Sequence, residues 1–338
     1  MSGEGATPPF VPGLALSRRF FREAVEPIVH DVLPDLRYAA ALIGDGSDVL
    51  GYDDGISANH DWGSRVLLFV PEDLFARHAR MLIEILERRL PERFEGWPTA
   101  FSDQDRIVGF DVDALAAGSP GHGVEVHVLD AWASRQLGIR QPGREPTPSE
   151  WLTIPEQALL GVTAGDVFRD DLGALADLRA RFAFFPEDVR LAKLAALWDA
   201  VADEMPFVGR AGHVGDDAGS RILCARLAEL AMRICLLAGR RYAPYSKWLG
   251  TAWARLPAAA AVAPHLDAAL AASCWNERDA ATAAMFETVA RAQVEAGVPG
   301  AVEPVLKGYF TRPYTVVNAG EIATGLRSAI ADPALTRA

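Results

Sequence analysis

Between residues 44 and 63 the chain reads Gly-Asp-Gly-Ser-Asp-Val-Leu-Gly-Tyr-Asp-Asp-Gly-Ile-Ser-Ala-Asn-His-Asp-Trp-Gly, a stretch rich in small residues and side-chain oxygens. A Gly-Ser pair such as Gly46-Ser47 lets backbone N–H groups and a hydroxyl approach a phosphate closely. Oxygen-bearing side chains a little further on, at Asn59 and Asp61, have the hardness that Mg²⁺ requires. A third carboxylate is offered by Glu125, set between Val124 and Val126, and Asp111 and Asp113 are its rivals. Such a layout suits nucleotidyl transfer, in which cations brace the attacking and leaving oxygens of a triphosphate. The same residues also suit a solvated turn and a salt-bridged glutamate. Spacing alone does not separate the two.

Other residues near this set could take part. Arg65 follows Gly63 by two positions, within reach of a phosphate at the turn. His127 is two residues from Glu125 and shares its face on a regular strand, as a base or a ligand. His60 lies between positions 59 and 61 and turns to the opposite face, where a structural hydrogen bond is expected. His122 and His213 stand beside glycines and are expected in solvent.

Elements able to position these groups follow from hydrophobic periodicity. Phe20, Phe21, Val25, Ile28, Val29 and Val32 recur at helical spacing and predict an amphipathic helix over residues 17–33. Residues 1–16, with Gly and Pro, read as a flexible arm. Apolar runs at Tyr38–Ile43, Arg65–Val70, Ile107–Val112 and Val124–Leu129 predict strands, and Pro71-Glu72-Asp73 opens a helix to about Leu90. Alternation of helix and strand gives a layered α/β domain over residues 17–140.

The Pro-containing segment Gln141–Ser149 reads as a joint. Beyond it, residues 150–338 form an all-α domain, with helices at Ile154–Ala164, Leu172–Phe182, Asp188–Glu204, Ala218–Leu237, Tyr245–Leu256, Pro264–Ala272, Asn276–Ala296 and Ala319–Ile330. Ile222, Leu223, Leu227, Leu230, Ile234 and Leu237 form the expected core stripe of one of them.

Composition narrows the partners. The chain has 338 residues, 50% hydrophobic and 23% charged, with a formal net charge of −12. That balance disfavours a protein that coats nucleic acid and favours a small-molecule substrate. No apolar run approaches the roughly twenty residues a membrane helix needs, and residues 1–16 lack a charged start followed by an apolar run, so neither secretion nor membrane insertion is expected. Cys224 and Cys235, roughly 16 Å apart along one helix face, are too distant for a disulfide. A reduced, cytoplasmic setting is expected. Oligomeric state is not legible.

The chain resembles the domain of unknown function 4037 family, assigned to the nucleotidyltransferase-like superfamily. The likeness is carried by Gly46-Ser47 with Val49-Leu50-Gly51-Tyr52-Asp53, by His60-Asp61-Trp62-Gly63 and by Val124-Glu125-Val126. It continues through Pro155-Glu156-Gln157-Ala158-Leu159-Leu160, Thr163-Ala164-Gly165, Tyr242-Ala243-Pro244-Tyr245-Ser246-Lys247-Trp248-Leu249-Gly250 and Arg312-Pro313-Tyr314.

This resemblance implies a nucleotidyltransferase-like mixed sheet domain followed by a helical domain, using Mg²⁺ and a nucleoside triphosphate, ATP. It implies metal ligation by Asn59, Asp61 and Glu125. The superfamily pattern is Gly-Gly or Gly-Ser, about ten residues, then an acid–x–acid pair, which the family resemblance places before Trp-Gly; here the first member is Asn59, which offers a carbonyl oxygen but no charge. In the helical half, Tyr242, Tyr245 and Lys247 are candidates for stacking on a base and neutralising phosphate.

Three readings stay open. The first is an enzyme transferring a nucleotidyl group to a small molecule. The second is a relative that binds nucleotide or another ligand without transfer. The third is a repurposed enzyme using Asp61, Glu125 and His127 as acid/base groups on a metabolite without nucleotide.

Overall fold

The chain was analysed as a computed structural model that describes residues 8–57, 62–100 and 121–336. The predicted strand at 107–112 and the candidates Asn59, His60, Asp61, Asp111 and Asp113 lie outside the described residues.

The aromatic and aliphatic stripe after the N-terminal arm folds as α1 (Gly13–Phe20), one wide π turn (Phe21–Val25) and α2 (Glu26–Val32). Pro27 has no N–H to give the carbonyl four residues back. The wide turn before it, where the Glu26 N–H reaches the Phe21 carbonyl, absorbs that misfit. Phe20, Phe21, Val25 and Val29 are buried, as their spacing requires.

There follow β1 (Ala39–Leu42), β2 (Val66–Phe69), α3 (Glu72–Arg89) and the small hairpin β3 (Arg93–Phe94) and β4 (Trp97–Pro98). Next come β5 (Val124–His127), α4 (Leu129–Leu137), α5 (Pro148–Thr153), α6 (Glu156–Thr163), β6 (Asp166–Asp170) and α7 (Ala174–Arg181). The main sheet runs β5-β2-β1-β6, with β2 and β5 parallel and β1 antiparallel to both neighbours. Val66, Leu68, Val124 and Val126 share one face because side chains alternate along a strand. They pack there with Phe20, Phe21, Leu82 and Leu86 into a continuous core.

Two compact units result. One holds Met1–Glu145 with Ala158–Ala183; the other holds Pro146–Gln157 with Phe184–Ala338. The sequence reading drew one boundary and placed everything after residue 150 in the helical part. The difference is β6, whose main chain pairs with β1 and so draws residues 158–183 into the sheet unit. Its sequence, Asp-Val-Phe-Arg-Asp, carries no apolar run. An edge strand half-covered on both faces needs none.

The helical unit contains α8 (Glu187–His213), α9 (Asp217–Ala238), α10 (Ser246–Ala254), α11 (Ala259–Ala271) and α12 (Trp275–Glu295). A hairpin, β7 (Leu306–Gly308) and β8 (Thr315–Val317), and then α13 (Ala319–Ser328) complete it. Several of its buried polar groups are hydrogen-bonded to one another. The Trp198 indole donates to Gln293 at 3.0 Å, and the Arg278 guanidinium donates to Ser220, Asp217 and the Ala272 carbonyl. Ile222 departs from the expected stripe: it is 62% exposed, while Cys224, Leu227, Ile234 and Leu237 face inward. The buried stripe begins two positions later, at Cys224, so Ile222 falls outside it.

Cys224 and Cys235 are buried free thiols and Cys274 is an exposed one. Among the described residues no helix is long and apolar enough to cross a membrane.

Candidate functional site

The Gly-Ser turn begins where β1 ends. Gly46 sits at φ +141, and a Cβ there would lie 2.3 Å from Asp48 Oδ1 and 3.0 Å from an Arg65 nitrogen, so only glycine fits. The Leu50 N–H reaches the Gly46 carbonyl at 3.3 Å and the Tyr52 N–H reaches the Ser47 carbonyl at 2.8 Å, winding the segment into one turn. The start of that turn leaves donors over, as the start of any helical turn does. Neither the Gly46 nor the Ser47 N–H finds a partner among the described residues.

Beneath the turn lies an ion pair. Asp48 is 1% exposed, and its two oxygens lie 2.9 and 2.8 Å from one Arg65 guanidinium nitrogen. Oδ1 also accepts the Val49 N–H at 2.9 Å. Arg65, singled out as a phosphate contact, thus has a structural partner that the sequence reading did not foresee.

The segment entering β2 is gripped from the N-terminal arm. Asp53 Oδ2 accepts the Gly13 N–H at 2.7 Å and the Trp62 indole N–H at 2.9 Å. The Ser17 hydroxyl donates to the Gly63 carbonyl at 3.0 Å and accepts the Arg65 N–H at 3.3 Å. Phe10 stacks on Trp62 at 5.8 Å, and Trp97 meets Trp62 edge-on at 4.6 Å. Residues 8–16, expected as part of a flexible arm, are therefore packed. Phe10 buries apolar surface and Asp53 holds the backbone that follows. Residue 62 adjoins the expected ligands Asn59 and Asp61, which lie outside the described residues.

On β5, Glu125 and His127 project from the face opposite the core. Register places Glu125 level with Leu67 and, across β2, with Ala41. Two strand spacings, about 10 Å, thus separate Glu125 from the strand that ends at the Gly-Ser turn. Flanking valines suggested an apolar setting for Glu125, but alternation turns it outward and its side chain is 54% exposed. Its Oε2 lies 2.8 Å from His127 Nε2, while Arg135 on α4 approaches His127 Nδ1 at 3.4 Å. A guanidinium only donates, so Nδ1 is the acceptor toward Arg135 and Nε2 faces the Glu125 carboxylate. His127 thereby orients Glu125. Sequence reasoning missed Arg135, whose only signal was its place eight residues after His127, at the far end of a short helix. His122, expected in solvent, is buried: Nδ1 accepts the Val124 N–H at 3.2 Å and Nε2 lies 3.4 Å from the Ile83 carbonyl.

In the second unit two of the motif strings meet. Glu156 Oε2 accepts the Ala243 N–H at 2.6 Å, and Gln157 Oε1 accepts the Tyr245 N–H at 3.1 Å. These bonds fix the segment that presents Tyr245, part-exposed, and Lys247, whose Nζ lies 4.7 Å from the Trp248 ring centroid. Tyr242 instead packs against Phe184 and Phe185, where burial pushes its hydroxyl far above the usual tyrosine range. Lys193, not singled out from the sequence, lies 4.9 Å from the Phe185 ring centroid. Burial lowers its pKa, with Glu156 acting in the opposite direction.

Among the described residues no group of three or more His, Cys, Asp or Glu could hold a metal ion. The expected metal set rests in part on positions 59 and 61, beyond those residues.

Comparison with known families finds that residues 151–249 match the family described as Domain of unknown function (DUF4037). That span includes the strings at 155–160, at 163–165 and most of 242–250; the Gly-Ser turn, Val124-Glu125-Val126 and Arg312-Pro313-Tyr314 fall outside it. Comparison with curated proteins gives no match.

Proposed function

We propose that the sheet unit handles a nucleoside triphosphate, taken to be ATP with Mg²⁺, and that the chain is a nucleotidyltransferase-like enzyme acting on a small-molecule acceptor. The observation that carries this reading is the pair of amides at Gly46 and Ser47, without partners among the described residues, on a turn whose backbone at Gly46 only glycine can adopt. Two adjacent N–H groups and a hydroxyl are donors of the kind that phosphate oxygens take.

In this account the Gly46 and Ser47 amides seat the phosphates, and Arg65 offsets the Asp48 charge that would otherwise repel them. Asp61 and Glu125 supply the carboxylates for the cation, with Asn59 adding a neutral carbonyl oxygen. His127 keeps Glu125 oriented. Mg²⁺, when bound, would offset triphosphate charge and brace the oxygens that exchange partners.

A second reading, nucleotide binding without transfer, draws on Asn59, which removes one anionic ligand from the expected set. One experiment separates the two. Thermal stabilisation by ATP is measured with and without Mg²⁺, then pyrophosphate release is followed with a panel of small hydroxyl and amine acceptors. Turnover by the unaltered chain supports transfer. Binding without turnover, with turnover gained in Asn59→Asp, supports the second reading. Activity on a metabolite in EDTA without nucleotide contradicts both and points to acid/base chemistry at Glu125 and His127.

A further inference from the structure

The hairpin of the helical unit carries a feature that nucleotide handling at the sheet does not use. Its base is fastened: Tyr314 packs against Trp275 at 6.0 Å and His213 at 6.2 Å, and the Thr315 N–H donates to Asp279 Oδ2 at 3.0 Å. Its tip is closed by Tyr309 N–H to the Tyr314 carbonyl at 2.9 Å and Arg312 N–H to the Tyr309 carbonyl at 3.2 Å. At that tip Phe310 is 83% exposed and held at φ +56, a backbone region side chains rarely adopt. Folding gains nothing from an aromatic ring so placed, and strain of this kind concentrates where ligands are gripped.

Under the tip lies a hollow of about 770 Å³, within the size range of small-molecule sites. Its floor is apolar, from Val201 and Met205 of α8 and Val316 of β8, and Tyr309 and Phe310 line its upper part. The two rings lie 4.8 Å apart and edge-on. Charge at the mouth is uneven. Lys307 and Glu321 offset each other across 2.8 Å. Arg312, outside the lining itself, lies over the ring of the lining residue Tyr309 at 5.8 Å and has no carboxylate partner among the described residues.

We propose that this hollow is a binding site for a small molecule with a flat apolar body and one anionic group, an aromatic carboxylate or sulfonate. The aliphatic floor and the aromatic pair take the ring system, and Arg312 meets the anion. All the residues named belong to the helical unit, so the inference stands apart from the nucleotide reading. Arg312 and Tyr314 belong to one of the strings on which the family resemblance rests, and this site gives the exposed member of that string a task.

The test is a fluorescence titration of the full chain with 1-anilinonaphthalene-8-sulfonate, competed by non-fluorescent naphthalene-1-sulfonate and by neutral naphthalene. Saturable binding of one dye per chain is expected, with the sulfonate competing more strongly than naphthalene. Ala202→Trp and Thr324→Trp, at exposed positions lining the hollow, should each weaken dye binding at least tenfold with circular dichroism unchanged. Because the two positions are on different helices, either variant suffices if the other misfolds. Arg312→Gln should weaken the sulfonate several-fold and leave naphthalene unaffected, whereas Ile222→Trp on exposed α9 surface should change nothing. Undiminished dye binding in both filling variants overturns the site. Equal competition by the charged and neutral probes overturns its anion preference. A shift of the ligand-free chain from dimer to monomer in the filling variants would make the hollow a self-interface and likewise overturn the proposal.

Discussion

Removing the guanidinium of Arg65 tests the architecture of the Gly-Ser turn. Asp48 is 1% exposed and its side chain has two sources of compensation, Arg65 and the Val49 N–H. Breaking a buried ion pair from one side costs about 3–5 kcal/mol, because the surviving charge is left in a poorly solvated place. The Arg65 side chain is 20% exposed, so water can enter where it leaves, and the low end, about 3 kcal/mol, is the expected loss for Arg65→Met. The double variant Asp48→Asn with Arg65→Met has no stranded charge and should lose about 1 kcal/mol, similar to one net hydrogen bond. A double-mutant cycle from urea unfolding, read by far-ultraviolet circular dichroism, should therefore give a coupling of about 2 kcal/mol or more. Hydrogen exchange at Leu50 and Tyr52, whose amides close the turn, should quicken in the single variant and recover in the double. Additive losses below about 0.5 kcal/mol each, the size of an ordinary surface change, would refute the reasoning.

Other outcomes follow from the same structure. Gly165 sits at φ +70, and a Cβ there would come within 2.1 Å of the Leu42 carbonyl, so Gly165→Ala must displace the β1 backbone that leads into the turn. A loss of roughly 2 kcal/mol or more is expected by thermal unfolding, and an unchanged melting temperature would contradict it. Tyr38 is pushed up to about 12, chiefly by burial and against the pull of Arg169. A raised acid pKa favours the folded state until the unfolded chain begins to ionise. Stability should therefore fall between about pH 10 and 12, by an amount on the order of 2–3 kcal/mol. Absorbance at 295 nm against pH, compared with Tyr38→Phe, checks this, and ionisation of Tyr38 with the exposed tyrosines would count against it.

What the sequence revealed tracked burial. β1, β2 and β5 were legible because Ala39–Leu42, Val66–Phe69 and the valines around Glu125 form apolar runs or alternate cleanly. α1 to α3 and most of the later helices were legible from period. β6 was hidden because its pairing is made by main chain and its side chains are polar and half-covered. The burial of His122 and the exposure of Ile222 depend on neighbours distant in sequence, Ile83 in the first case and a shifted helix face in the second. At the candidate site Gly46 was readable, since a glycine before a short polar residue signals a backbone need. The Asp48–Arg65 pair, seventeen positions apart, carried no local pattern, and neither did the reach of Asp53 to Gly13. The short hairpin and hollow of the helical unit were not legible, because β7 is exposed throughout and too brief to show a period.

The central claim is that the Gly46 and Ser47 amides receive phosphate, and calorimetric titration with Mg²⁺ and a non-hydrolysable ATP analogue tests it most directly. The account predicts saturable binding by the unaltered chain and a loss of at least tenfold in Gly46→Val, while Ile222→Ser on the helical unit binds normally. Affinity unchanged in Gly46→Val, in a variant shown by circular dichroism to be folded, would contradict it.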